Sequence, residues 1–167
     1  MFAILHQCNA SLVAYLISEG AGTPLDVWPA RHFFERSAPN TLVEATLCVE
    51  EPINSGVYKI AVAITAETMP MVEPGQTPAL ALAASLARID RIDQALAHDP
   101  QALADRINQV AASQQIPFFI NGIVDRGRES GLNDTGSLYL DTVHLEIFGF
   151  YNPAPGGAAT LGKPEAS

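Results

Sequence analysis

Apolar and polar residues alternate most cleanly near the end of the chain. In LYLDTVHLEIFGFY (138–151), Val143, Leu145 and Ile147 fall on one side and Thr142, His144 and Glu146 on the other. That period of two is expected of a strand with one buried and one wetter face. A second apolar run, IPFFINGIV (116–124), precedes it, and the polar stretch from Asp125 to Ser137 between them predicts a long loop. Phe118, Ile120, Val143, Leu145 and Ile147 are the core positions this pattern predicts.

Upstream, Phe2, Leu5, Leu12, Leu16 and Glu19 recur at helical spacing, with Ala10, Val13 and Ile17 widening the apolar face, so a first helix is predicted up to Gly20 and Gly22. Residues 21–40 carry three prolines, Trp28 and the Phe33–Phe34 pair. They predict an irregular connection with a short extended piece at Leu25 to Trp28, its aromatics either sealing the core edge or forming a partner patch. Val43, Ala45, Leu47 and Val49 alternate with polar neighbours, and VYKIAVAITA (57–66) repeats the pattern beyond the turn formers Pro52, Asn54 and Gly56. A β-hairpin follows from this spacing.

After a Pro-rich loop, a helix is expected from about Pro78 to Ala97, with a core stripe of Leu82, Leu86, Ile89, Ile92 and Leu96. Asp99-Pro100 then starts a third helix running to about Ser113, in which Leu103, Ile107 and Val110 share a face. Together these elements predict a single α+β domain over residues 1–151. Its sheet, mixed or antiparallel, has about four strands packed by an N-terminal helix and a central helix pair. The Pro/Gly-rich residues 152–167 form a flexible tail with almost nothing to bury.

Composition narrows the function classes. The chain has 167 residues, is 48% apolar and only 16% charged, which suits one well-buried core. No run is long and apolar enough for a membrane span, and the start lacks a basic leader, so a soluble, unexported protein is expected. Net charge is −9, and the nine basic residues are scattered from Arg31 to Lys163. Nucleic-acid binding needs clustered Lys and Arg, so direct binding is not expected. Cys8 and Cys48 form no CxxC pair and read as small buried hydrophobes in a reducing compartment.

Motifs for chemistry are sparse. No GxSxG elbow flanks a serine, and His6, His32, His98 and His144 form no HxH or HExxH pair, so neither a nucleophilic hydrolase nor a local zinc site is indicated. His144 and Asp141 remain candidate general bases for an enzyme reading. The 125–137 loop concentrates charge among glycines, yet its spacing fails the EF-hand and phosphate-loop patterns. It reads as a protein-contact arm, with Arg126, Arg128, Glu129 and Asp134 as contact residues and Glu50 and Glu51 as further candidates.

The hairpin around VYKIAVAIT, the helix LALAASLARIDRIDQAL after its Pro-rich loop, and the closing FFINGIVDRG and YLDTVHLEIFGFY resemble the tail-terminator (tail-completion) proteins of long-tailed bacteriophages in order and pattern. The resemblance implies a non-enzymatic virion protein, assembled in the bacterial cytoplasm without a cofactor or metal. It implies a homo-oligomeric ring, usually hexameric, that caps the tail tube protein and later meets a head-completion protein. An acidic ring would let DNA pass without sticking. A small acidic secretion-type chaperone, acting as a dimer on an extended partner segment, is the alternative from another class.

Overall fold

The computed structural model describes residues 2–29, 40–53, 56–68, 75, 77–133 and 138–151. The chain order is α1 (Phe2–Ser18), β1 (Val27–Pro29), β2 (Asn40–Glu50), β3 (Tyr58–Thr68), α2 (Pro78–Leu96), α3 (Pro100–Ser113), β4 (Phe118–Leu132) and β5 (Tyr139–Tyr151). The fold is α+β, as the pattern predicted, and the described residues form three helices and one mixed five-stranded sheet in the order β1-β2-β3-β5-β4. The fifth strand is β1, which grows out of the short extended piece expected near Trp28 and pairs parallel to the start of β2. Every other neighbouring pair is antiparallel.

The sheet is centred on β3 and β5, which pair without a break from Tyr58↔Gly149 to Thr68↔Tyr139. Because side chains alternate, this register aligns Ile60 with Ile147, Val62 with Leu145 and Ile64 with Val143 on one inner face. All six are buried, and the helices cover this face. Opposite them, Lys59, Ala61, Ala63 and Thr65 line up with Phe148, Glu146, His144 and Thr142 on an outer face whose side chains are partly buried.

Helix ends follow local chemistry. Thr77 and Asp99 cap α2 and α3 by accepting from Leu80 N and Ala102 N, with proline in the first turn of each. α1 is buried nearly all round, through Ile4, Cys8, Leu12, Tyr15 and Leu16, and Tyr15 Oη donates to Ala95 O at 2.6 Å. Burial, and next the nearby Glu19, push the Tyr15 phenol up to about 12, so it remains the donor in this bond. Cys8 and Cys48 are free and buried, and burial holds the Cys8 thiol far above its ordinary value. Phe2, expected on the core stripe, is instead exposed at the helix start.

Bulges account for two departures from simple alternation. β2 shifts register between Ala45 and Leu47, so Cys48 turns inward while Leu47 and Val49, expected in the core, point out at 56% and 47% exposure. Asn9 Oδ1, from α1, accepts from Ala45 N at 2.8 Å beside this bulge. β4 shifts at Asn121 and again at Arg126. The stretch predicted as a loop from Asp125 is therefore strand as far as Leu132. The reason is tertiary: alternating apolar residues in β5 impose a partner on a segment that has no apolar pattern of its own.

Edge strand β4 is partly closed by a side chain. Asn108 of α3 donates through Nδ2 to Ile120 O and accepts from Ile120 N, both at 2.7 Å, taking the place of a missing neighbour strand. At the same end of the sheet, Phe118 lies over Gly149, where a Cβ would come within 2.6 Å of the ring. Leu86 departs from its predicted stripe and is 51% exposed, whereas Ile92 is buried and Ile89 and Leu96 pack against the core. The side chain of Leu82, together with Phe33, Phe34 and the 152–167 tail, lies outside the described residues.

Two expected outcomes test this packing. Ile147→Asp should abolish cooperative unfolding, because it places an unpaired charge at a fully buried site at a cost above about 4 kcal/mol. Asn108→Ala should lower stability in urea titration by about 1–3 kcal/mol, the penalty for leaving the two Ile120 backbone groups unpaired. A loss under a few tenths in the second variant would show that water replaces the amide.

Candidate contact surface

The five candidate contact residues among the described ones, Arg126, Arg128, Glu129, Glu50 and Glu51, do not form one patch. Glu50 and Glu51 sit where β2 turns into β3: Glu50 Oε1 accepts from Gly56 N at 2.9 Å, and Glu51 N donates to Val57 O. Glu50 pairs Tyr58 at one end of β3, whereas Arg128 pairs Val143, which pairs Ile64, six residues further along β3 and roughly 20 Å away at ~3.3 Å per residue. Asp134 falls outside the described residues.

Arg126 and Arg128 are separated by the β4 bulge. In a regular strand, residues two apart share a face, but here Asp125 pairs Leu145, Gly127 pairs His144 and Arg128 pairs Val143, so Arg126 is the extra residue. Gly127 makes the bend possible, since its φ of +102° is costly for any side-chain-bearing residue, and its N–H donates to Asp125 Oδ1 at 2.7 Å. The two arginines consequently point to opposite faces of the sheet. The loop expected here from sequence is strand at both positions, and any contact the two arginines make is made from different faces.

On the outer face, Arg126 Nη2 reaches Glu146 Oε1 at 2.6 Å and Lys59 Nζ reaches Glu146 Oε2 at 3.0 Å. The three charges form a rung across β4, β5 and β3. The Arg126 hydrogen bond, aided by Lys59, holds the Glu146 carboxyl below the usual carboxylate range. Beside the rung, His144 Nε2 lies 3.1 Å from Glu129 Oε1. A shallow trough of about 380 Å³ runs here, floored by Ala61 and Ala63 and rimmed by Thr46, Arg126, His144 and Glu146.

On the inner face, Arg128 is a clamp. Its Nε donates to Asp141 Oδ1 at 2.6 Å, and its two terminal nitrogens meet the Asp93 carboxylate of α2 at 2.7 and 2.9 Å. Hydrogen bonds donated to Asp93 and Asp141 raise the already high Arg128 pKa further, so its charge is permanent. Ser130 Oγ donates to the other oxygen of Asp141 at 2.8 Å. Both carboxylate oxygens of Asp141 are thus occupied by partners, and His144 faces a carboxylate on an open surface. Neither arrangement presents an aligned base and nucleophile.

A second clamp lies across the sheet. Arg88 of α2 donates to Asp26 Oδ2 at 2.6 Å and to Thr41 Oγ1 at 3.0 Å, and Asp26 also accepts from Thr23 N at 2.6 Å. Burial pushes the Asp26 carboxyl up, but Thr23 and Arg88 outweigh it and hold the group below its ordinary range. Sequence reading passed over Lys59, Asp93, Arg88 and Asp26, although Glu146 on the wet phase of β5 was a usable sign that a cation lies opposite. No known protein family matches the chain in sequence, nor does any curated protein.

The sequence alone predicts that alanine at 126 and 128 leaves melting nearly unchanged. The geometry separates the two. Arg126→Ala should cost less than about 1 kcal/mol, as exposed pairs do, while Arg128→Ala should cost about 1.5–2 kcal/mol because Asp141, 10% exposed, loses its cation. The Arg128 side chain is 36% exposed, which keeps that figure at the low end. A pH titration of stability supplies an independent check. Asp26 and Glu146 have depressed pKa values in the folded state, so their contribution is present above the unfolded carboxylate range, about pH 4, and disappears as pH falls further. Stability that holds level from pH 6 to pH 3 would contradict both ion networks.

Proposed function

We propose that this protein is a non-enzymatic structural subunit that assembles into a ring, with the tail-terminator role of long-tailed phages as its setting: a homo-oligomer, usually of six, between the tail tube protein and a head-completion protein. The observation that carries this reading is the two-sided sheet. One face is sealed by helices, and the other carries small side chains, Ala61 and Ala63, with each charge of the Lys59–Glu146–Arg126 rung held against an opposite one. Such a face is rigid and can be covered by another protein without burying an unpaired charge.

The two ends of the sheet also differ. Beside β1 the β2 bulge leaves Leu47 and Val49 on the surface, with Ile53 91% exposed in the following turn. At the other side stands the long β4 edge, with Phe119 stacked on Phe150. Different surfaces on opposite sides of a subunit suit head-to-tail contacts, and head-to-tail contacts close rings. The net charge of −9 fits a passage that DNA traverses without adhering.

Light scattering coupled to size-exclusion chromatography, followed by negative-stain imaging, should show rings or stacked rings. A compact dimer at every concentration would favour the secretion-chaperone reading instead, and a strict monomer at high concentration, alone and with tail tubes, would count against both. Leu47→Asp should abolish the higher oligomer while leaving the melting temperature within a few degrees, since the residue is 56% exposed in the subunit.

A further inference from the structure

Helix α2 is attached differently from α1 and α3. Those two bury Leu12, Tyr15 and Leu16 and Leu103, Ala104 and Ile107 in the common core. Among the described side chains of α2, only Ile92 and Ala95 are buried, with Ile89 and Leu96 packed against the core beside them, while Leu80 and Leu86 are 60% and 51% exposed and Ala79 and Ala83 also face outward. One inner-face row of the sheet is mostly polar, Thr41, Ala66, Asp141 and Ser130 in register, and it is to this row that the arginine clamps attach.

Among the described residues, three polar fastenings supplement that packing. Arg88 on α2 reaches Asp26 and Thr41; Arg128 on β4 reaches across to Asp93 on α2 while also holding Asp141; and Tyr15 Oη caps Ala95 O. The Arg88 clamp joins α2 to Asp26 and β2, the Arg128 clamp joins it to β4 and β5, and in each a partly exposed carboxylate, Asp26 or Asp93, can exchange its protein partner for water. Apolar packing in the core has no such substitute, since separating it exposes surface that water solvates poorly. Opening at the clamps also uncovers a sheet row that is already polar, which lowers the cost of the open state.

We propose that α2 is a clip-on element: it opens from the sheet as one unit, gated by the Arg88 and Arg128 clamps, while α1, α3 and the central strands stay folded. Local opening of this kind belongs to the low-stability end of a fold and is where surfaces for a partner become available. The inference is independent of the ring reading.

Hydrogen–deuterium exchange of the intact chain at neutral pH, read by mass spectrometry over peptides within 80–96, tests it. In the unaltered protein these amides should exchange faster than those of α3 and β3. Arg88→Met or Asp93→Asn, each removing one clamp, should raise α2 exchange about tenfold further, the effect of losing a hydrogen bond to a charged group. Protection in α1, α3 and β3 should stay within roughly twofold. Protection of α2 equal to that of β3 in the unaltered protein would overturn the proposal without any variant. Variants that raise exchange in every element alike, or leave α2 unchanged, would also overturn it.

Discussion

The unbroken pairing of β3 with β5 is the constraint on which the rest of this structure depends. Eleven consecutive residue pairs fix which side chains face the helices, because a slip of one position would turn Ile60, Val62, Ile64, Val143, Leu145 and Ile147 to the other side. With that core register set, the irregularities are pushed outward. Both flanking strands carry bulges, β2 at Thr46 and β4 at Asn121 and Arg126, and the central pair carries none.

Those bulges turn a plain sheet into a surface with two characters. In β2 the extra residue brings Leu47 and Val49 out and Cys48 in; in β4 it divides Arg126 from Arg128. The outer arginine joins Lys59 on Glu146 in a rung of one net positive charge on an open face, and the inner one ties α2 to the sheet. Energetically the two are unlike: Arg126 is 53% exposed and can trade its partner for water, while Arg128 can trade only Asp93, 42% exposed, and keeps Asp141, 10% exposed.

Much of the fold was legible in the sequence because it is written locally. Strict alternation in 142–147, the capping pair Asp99-Pro100, and the glycine-proline turn between β2 and β3 each act over a few residues. What escaped is non-local. Nothing in DRGRESGL announces a strand, as its pairing is imposed by β5, and the faces of Arg126 and Arg128 depend on one extra residue whose position only the partner strand defines. The same holds for the clamps: Asp26 and Arg88, or Asp93 and Arg128, lie too far apart in sequence for spacing to associate them. Leu86 was misread because amphipathic spacing reports that a face is apolar, and not that something covers it.

The central claim is that the β4 bulge assigns its two arginines to different physical tasks, and double-mutant cycles measure this most directly. Coupling energies from urea unfolding should be about 1.5 kcal/mol or more for Arg128 with Asp141, and clearly smaller for Arg126 with Glu146, whose carboxylate keeps Lys59 as a partner. Equal couplings for the two pairs, or a larger one on the outer face, would contradict the account.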